Sequence, residues 1–387
     1  MKILHTSDWH LGHTLYNYDR AEEQMAMLLQ MVDIVRIEQP DVFLLCGDVY
    51  HTAQPSAAVQ TMFTNALMEI HQAQPEMKMV IIAGNHDSGT KHEIFRTAWK
   101  ALAVETIGCV DDDSLDDLVI EVKEKGYVIA VPYVNQRNLP KGLYQQLIDM
   151  VVARNHHHLP IIMMTHTTVR GCDYAGHENS TEQTVGGIDS CDLQEMGTGY
   201  DYLALGHIHH AQFVHGGAHR VRYSGSPLPI SFDENYSHTI SIIEIDRHVA
   251  TPVVREVPIT VFRPLVTLPT HGFVAWKDAK ELLEQFPDDN EAYIRLNVEI
   301  DHTLHVEANA EAMMIAENKK CRFCLINTKR TATKNREPIY MSVQEFRAEE
   351  PIDIAEKYAD DMGVEFDSDM KRLFKETLDA LEEEKRM

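Results

Sequence analysis

Cysteine is scarce. Six residues (Cys46, Cys109, Cys172, Cys191, Cys321 and Cys324) in a chain of 387 cannot form the dense framework of a disulfide-stapled fold, and so few fit a reducing compartment. No apolar run approaches the roughly 18 residues that a membrane-crossing helix needs. Met1 to His5 run directly into a strand-like segment with no charged leader or small-residue cleavage site. A cytoplasmic protein with no membrane association and no disulfides is expected. Positive charge is also in short supply, with 35 Lys and Arg against 60 Asp and Glu and a formal net charge of -25. Sequence-independent affinity for nucleic acid comes from Lys and Arg neutralising phosphates, so the composition argues against a general electrostatic grip on DNA. That objection weakens if carboxylates hold divalent cations, which then become the largest local positive charges, or if a basic partner supplies the rest. Internal repeats and low-complexity tracts are absent.

What the chain does have is the composition of an ordinary folded protein, 44% hydrophobic and 25% charged. Up to about residue 245, short runs rich in Val, Ile and Leu alternate with stretches of helical period, the signature of a layered α/β domain. The clearest strands are Lys2 to His5, Val42 to Cys46, Met79 to Ala83, Ile161 to Thr165 and Tyr202 to Leu205. Met25, Leu28, Leu29, Val32 and Val35 share one face of a helix, and a second helix beginning near Pro55 carries Val59, Met62, Phe63, Ala66 and Ile70 on its buried side. Around Phe262 to Thr270, Pro264 and Pro269 interrupt the pattern. This divides the chain into residues 1–265, a separate α/β segment at 266–345, and a helical region at 346–387. In the last of these Met370, Leu373, Phe374, Leu378 and Leu381 form an apolar stripe that packs on its own chain or docks a partner.

Each of the five strands is followed at once by metal-ligand residue types: Asp8 and His10; Asp48; Asn85, His86 and Asp87; His166; His207 and His209. In open α/β sheets ligands bind beyond the carboxyl ends of the strands, so these groups should converge although they span two hundred residues. A mixture of oxygen and imidazole donors suits a pair of divalent first-row ions. Two cations held about 3.5 to 4 Å apart need a shared carboxylate and open positions for water and phosphate, and Asp48 is the natural bridge. Gly47, Gly84 and Gly206 precede three of the ligand groups and permit tight strand-to-loop turns.

Asp8-Trp9-His10, Gly47-Asp48, Gly84-Asn85-His86-Asp87, His166 and Gly206-His207-Ile208-His209 resemble the ordered motifs of calcineurin-like metallophosphoesterases. The opening Met1-Lys2-Ile3-Leu4-His5-Thr6-Ser7-Asp8-Trp9-His10-Leu11-Gly12 and Tyr223-Ser224-Gly225-Ser226-Pro227 narrow the resemblance to the SbcD family of bacterial nuclease subunits. The resemblance implies a four-layer α-β-β-α sandwich carrying a smaller DNA-binding α/β cap and C-terminal partner-binding helices. Carried over residue by residue, it places Asp8, His10, Asp48 and His209 on one metal and Asp48, Asn85, His166 and His207 on the other. It implies manganese, where ligand type alone admits iron or zinc equally. The resemblance implies that His86 contacts the scissile phosphate and protonates the leaving group, and that Asp87 either orients its ring or caps a turn. His51 matches a position near the phosphate, with a plain surface histidine as the alternative. Implied partners are DNA and an SbcC-type ATPase, with this chain as a homodimer inside a heterotetramer.

Other signals carry less. Gly84 to Lys91 superficially suggests a phosphate-binding loop, but the order after the second glycine is reversed, so no ATP is expected on this chain. Cys321 and Cys324 have zinc-like spacing without a second pair. His156 to His158 read as a solvated loop. The leading expectation is a DNA exonuclease and endonuclease acting at DNA ends and hairpins in double-strand break repair and recombination. The alternative is a two-metal phosphodiesterase or phosphatase acting on a nucleotide or phosphoprotein, which the acidic charge favours. A non-enzymatic scaffold is disfavoured because no ligand position is lost.

Overall fold

A computed structural model of the chain describes residues 1–174, 190–301, 303–331, 351–361, 366–368, 370–375 and 377–378. Strand β1 (Lys2–Thr6) leads into a short hairpin of β2 (Thr14–Leu15) and β3 (Tyr18–Asp19), followed by β4 (Val42–Cys46), β5 (Lys78–Ile82) and β6 (Val104–Ile107). β1, β4, β5 and β6 pair in parallel. A second set comprises β7 (Val119–Val122), β8 (Gly126–Val131), β9 (Ile161–His166), β12 (Tyr202–Gly206), β13 (Gln212–Phe213) and β14 (Val221–Tyr223), with the small pair β10 (Thr168–Val169) and β11 (Ser190–Cys191) between. The chain then returns to the first sheet, where β15 (Thr239–Glu244) and β16 (Val253–Pro258) add antiparallel strands at one edge. The two six-stranded sheets have the orders β16-β15-β1-β4-β5-β6 and β13-β14-β12-β9-β8-β7.

Side-chain alternation along β4 divides the core. Val42, Leu44 and Cys46 join Ile3, Val80 and Ile82 against residues of β8, β9 and β12, which fills the space between the sheets. Phe43 and Leu45 face the other way, onto Met27, Met31 and Val35 of helix α1 (Ala21–Glu38) and Phe63, Leu67 and Ile70 of α2 (Ala57–Ala73). Helix α3 (Gly89–Lys100) lies beside β6. The outer face of the second sheet packs on Leu143, Leu147, Ile148 and Val151 of α4 (Leu143–Arg154). The layers are therefore helix, sheet, sheet, helix, the expected α-β-β-α sandwich. Each fully buried Val, Leu or Ile contributes about 1.5–3 kcal/mol, and strands covered on both faces read as continuous apolar runs for this reason.

Helix α1 departs from expectation. Met25 and Leu29 are exposed, while Glu23, Gln24, Met27 and Met31 are buried beside Leu28, Val32 and Val35. The helix is rotated because its polar residues have interior partners. Arg263 donates to Glu23 Oε1 at 2.6 Å, and Gln24 Oε1 accepts from the Gly12 amide at 3.0 Å while its Nε2 donates to the His10 carbonyl at 3.2 Å. Helix α2 starts slightly later than Pro55 suggests, capped by Ser56, whose hydroxyl accepts from the Val59 amide.

Two compact units are distinguished. The first is Met1–Thr267 with Pro287–Arg295 and Ala316–Leu325; the second takes Leu268–Phe286, Leu296–Ile315 and the described part of 326–387. A three-stranded sheet orders β17 (Leu265–Leu268), β18 (Tyr293–Ile300) and β19 (Arg322–Arg330) as β17-β18-β19. The second unit contributes α5 (Trp276–Gln285), α6 (Ala308–Glu317) up to Ile315, and α7 (Pro351–Asp361). Of the C-terminal stripe, Met370 and Leu373 are exposed, and Leu381 lies outside the described residues. His156, His157 and His158 are exposed, as a solvated loop would be. Among the described residues no helix is long and apolar enough to cross a membrane.

Candidate metal centre

All five strand ends that carry the expected ligands belong to parallel strands, β1, β4 and β5 in one sheet and β9 and β12 in the other. The loops after β1 and β4 are laced together: the Asp8 amide donates to the Gly47 carbonyl at 3.1 Å, that of His10 to the Asp48 carbonyl at 3.0 Å, and that of His51 to the Leu11 carbonyl at 3.0 Å. Asp8 (φ 54°), His10 (φ 44°), Asp48 (φ 48°) and His207 (φ 98°) all occupy positive φ without being glycine. Such conformations cost about 1–3 kcal/mol each and persist only where surroundings over-determine them. The strain sits on the residues that carry the donor atoms.

Space is as tight as the backbone. A Cβ on Gly84 would stand 2.1 Å from Asp48 Oδ1, and one on Gly206 would stand 1.8 Å from the Cys46 carbonyl oxygen. That carbonyl also lies 2.8 Å from His166 Nδ1. Gly206→Ala is therefore expected to destabilise the fold by at least about 1–3 kcal/mol and to abolish any rise in thermal midpoint on adding a divalent ion, both measurable by thermal unfolding with and without the ion.

The donor atoms gather in three groups, two of which share His10: Asp8, His10 and His209; Asp48, His166 and His207; His10, His51 and His86. His10 Nε2 is 3.3 Å from His209 Nε2. Asp48 Oδ2 is 3.6 Å from His10 Nε2 and 3.4 Å from His166 Nε2, and so stands between two histidine sets. Asn85 Oδ1 lies 2.9 Å from His166 Nε2 and 3.1 Å from His207 Nδ1. Asp8 accepts from the His207 amide at 3.1 Å and from the Ser7 hydroxyl at 2.5 Å. The ring of His86 lies 4.9 Å from that of His10 and stacks on His51 at 5.6 Å, while its Nδ1 is 3.0 Å from the His51 carbonyl.

Asp87 is placed differently from a ring-orienting group. Its carboxylate accepts from the amides of Val49 (3.1 Å), Tyr50 (3.0 Å) and Gly84 (2.9 Å). It ties the loop after β4 to the loop after β5, and the His51 carbonyl takes the place at His86 Nδ1 that a ring-orienting carboxylate would fill. This geometry favours the turn-capping alternative for Asp87.

The electrostatics call for cations. Burial pushes the Asp8 carboxyl up to about 7, with His166 opposing and the Asp48 charge adding to the rise. Burial works against a charged His166, yet Asp48, Asp8 and the Cys46 carbonyl outweigh it and hold its proton up to about 10. Asp48 is held well below the usual carboxylate range; burial opposes this, but His166 and His10 prevail. Burial lowers His10 to about 4 despite Asp48, which leaves it neutral at pH 7 and able to ligate. Buried carboxylates interleaved with inward-facing imidazole nitrogens are the donor set of divalent first-row ions, and the residues present fit such a pair.

An ion held by His166 would displace the proton on its ring, so affinity should rise with pH. Between pH 7 and 9 manganese affinity should increase about tenfold per pH unit, and titration in buffers of different ionisation enthalpy should register proton release. An affinity independent of pH over that range would refute it. In the metal-free fold the signs are also defined. The stabilisation from the raised His166 is full below its ordinary value of 6.5 and is lost as pH rises through about 10, and that from the raised Asp8 is full below 3.8 and lost through about 7.

Glu234 is a residue that the sequence pattern does not mark. Its Oε1 lies 3.1 Å from His209 Nδ1, and its side chain is fully enclosed. Burial pushes it up to about 8 against the Ile230 amide and Arg20, and a cation on the far side of the His209 ring would favour the ionised form. His13 is half-buried close by, with its ring 4.7 Å from that of His51. Neither follows a strand end, so neither carries the signal that found the rest.

Residues 1–211 match the family described as calcineurin-like phosphoesterase. Curated relatives include the SbcD subunit of the SbcCD nuclease from Rhodobacter capsulatus, 30% identical over 70% of this chain and 72% of that protein. The protein of the same description from Escherichia coli K12 is 29% identical over 73% and 75%, and that from Bacillus subtilis 168 is 28% identical over 79% and 81%. The match to the phosphoesterase family spans all the strand ends that carry the donor groups, and the relatives extend well beyond it. The chain belongs to the calcineurin-like phosphoesterases and, among them, to the SbcD nuclease subunits.

Proposed function

We propose that this metal-dependent nuclease hydrolyses DNA phosphodiesters at ends and hairpins in repair and recombination, using two manganese ions and working with an SbcC-type ATPase. One ion would be held by Asp8, His10, Asp48 and His209, the other by Asp48, Asn85, His166 and His207. The observation that carries the reading is Asp48 Oδ2, placed 3.6 Å from His10 Nε2 and 3.4 Å from His166 Nε2, where one carboxylate can serve two ions. When bound, such ions polarise the phosphate, neutralise its charge and make water a competent nucleophile near neutral pH. This also answers the objection from a net charge of -25, since attraction for phosphate is then local to the centre.

The chain's own residues supply orientation and proton transfer. The His51 carbonyl accepts from His86 Nδ1, which keeps that nitrogen protonated and leaves Nε2 as the end of the ring that exchanges protons with substrate. His86 protonates the departing oxygen, and His51, stacked against it, contacts the phosphate. Asp87 holds the Val49, Tyr50 and Gly84 amides and so keeps the two loops in register. Recognition through phosphate rather than base edges makes the activity broad in sequence. A cytoplasmic homodimer within a heterotetramer completes the reading.

The test is cleavage of end-labelled duplex and single-stranded DNA by the native chain with manganese, beside a chromogenic phosphodiester. Cleavage of both substrates supports the proposal. Turnover of the small substrate alone, even with the ATPase and ATP present, would leave a phosphodiesterase and overturn it.

A further inference from the structure

One loop holds His209 at both ends. The Ser226 amide donates to the His209 carbonyl at 3.0 Å, and Gly225 runs so close that a Cβ there would stand 2.5 Å from that oxygen. Further along the same loop, Glu234 returns with Oε1 at 3.1 Å from His209 Nδ1, while its Oε2 accepts from the Ile230 amide at 3.2 Å. The opposite nitrogen of the ring, Nε2, is the one that meets His10 Nε2 at 3.3 Å and belongs to the group with Asp8. We propose that Glu234 is the positioning residue of the ion site formed by Asp8, His10 and His209, fixing the ring of His209 and setting how tightly that ion is held. The proposal rests on the two-ion reading above.

A neutral imidazole carries one N–H. A carboxylate on Nδ1 holds it there, leaves the lone pair on Nε2 aimed at the ion, and makes that nitrogen more basic. His166 has its Nδ1 on the neutral Cys46 carbonyl instead, at 2.8 Å. The two ions are therefore backed unequally, and the ion on His209 depends on a charge outside its own ligand set. The segment from Tyr223 to Pro227 thus opens the loop that holds a ligand in place.

Manganese binding followed by electron paramagnetic resonance on the full chain tests this, with Glu234→Ala and Glu234→Gln beside the native protein. Glu234→Ala should weaken one of two manganese constants by about 10- to 100-fold and leave the other within about twofold, with kcat recovered at saturating manganese. Glu234→Gln keeps an acceptor for Nδ1 but loses the charge and turns an amide nitrogen toward the Ile230 amide, and should show a smaller loss at the same single site. It also carries the test if the alanine variant does not fold. A merely structural role would lower the metal-free thermal midpoint and leave both constants unchanged, and that result overturns the assignment. If the native chain itself fails to bind two ions, the two-ion reading falls and Glu234 with it; unchanged constants in variants of a chain that binds two ions sink Glu234 alone.

Discussion

Replacing Asp48 by alanine is expected to lower kcat/KM on DNA and on a small phosphodiester alike by at least about 10³-fold, since two-ion stabilisation supplies several kcal/mol and each 1.36 kcal/mol is a factor of ten. Asp48 is the carboxylate placed between the His10 and His166 nitrogens, at 3.6 and 3.4 Å. Without it, two cations would face each other with no shared anion, so bound manganese should fall from two equivalents to at most one. The loss should be the same for both substrates because the defect precedes any contact with DNA. Asp48 Oδ1 also accepts from the His86 amide at 2.9 Å, which makes Asp48→Asn the sharper control: it retains an acceptor for that amide and removes the charge. Metal counts by mass spectrometry and rates on both substrates decide the matter. Either variant binding two ions and cleaving within tenfold of the native rate would remove Asp48 from the bridging role.

The donor groups are legible because each follows an apolar strand, and parallel strands bring their carboxyl ends to one side. The sequence does not reveal that Asp8, Asp48 and Asn85 come from one sheet and His166 and His207 from another, because each strand is buried on both faces and an apolar run does not say which sheet it joins. The rotation of α1 is hidden by Glu23 and Gln24, polar residues whose partners Arg263 and the Gly12 amide lie elsewhere in the chain. Asp87 is ambiguous because an aspartate beside a histidine has the same spelling whether it faces the ring or three amides. Glu234 gives no signal, since its partner His209 lies 25 residues back and a loop places it. Pro287–Arg295 and Ala316–Leu325 belong to the first compact unit without any change of composition to announce it.

Replacing His86 by glutamine should separate the two substrates that Asp48 loses together. Removing a general acid costs about 10²- to 10⁴-fold where the leaving group needs a proton, and the alkoxide released from DNA is such a group. A nitrophenolate leaves without protonation, so the chromogenic phosphodiester should slow less than about tenfold on the same reasoning. The substitution leaves the ligand set intact, because His86 reaches Asp48 through its backbone amide, which any residue but proline supplies. Two bound manganese ions should therefore remain. If both substrates slow equally while both ions stay bound, His86 holds the phosphate rather than protonating the leaving oxygen. If an ion is lost as well, the ring 4.9 Å from His10 is part of the metal centre itself.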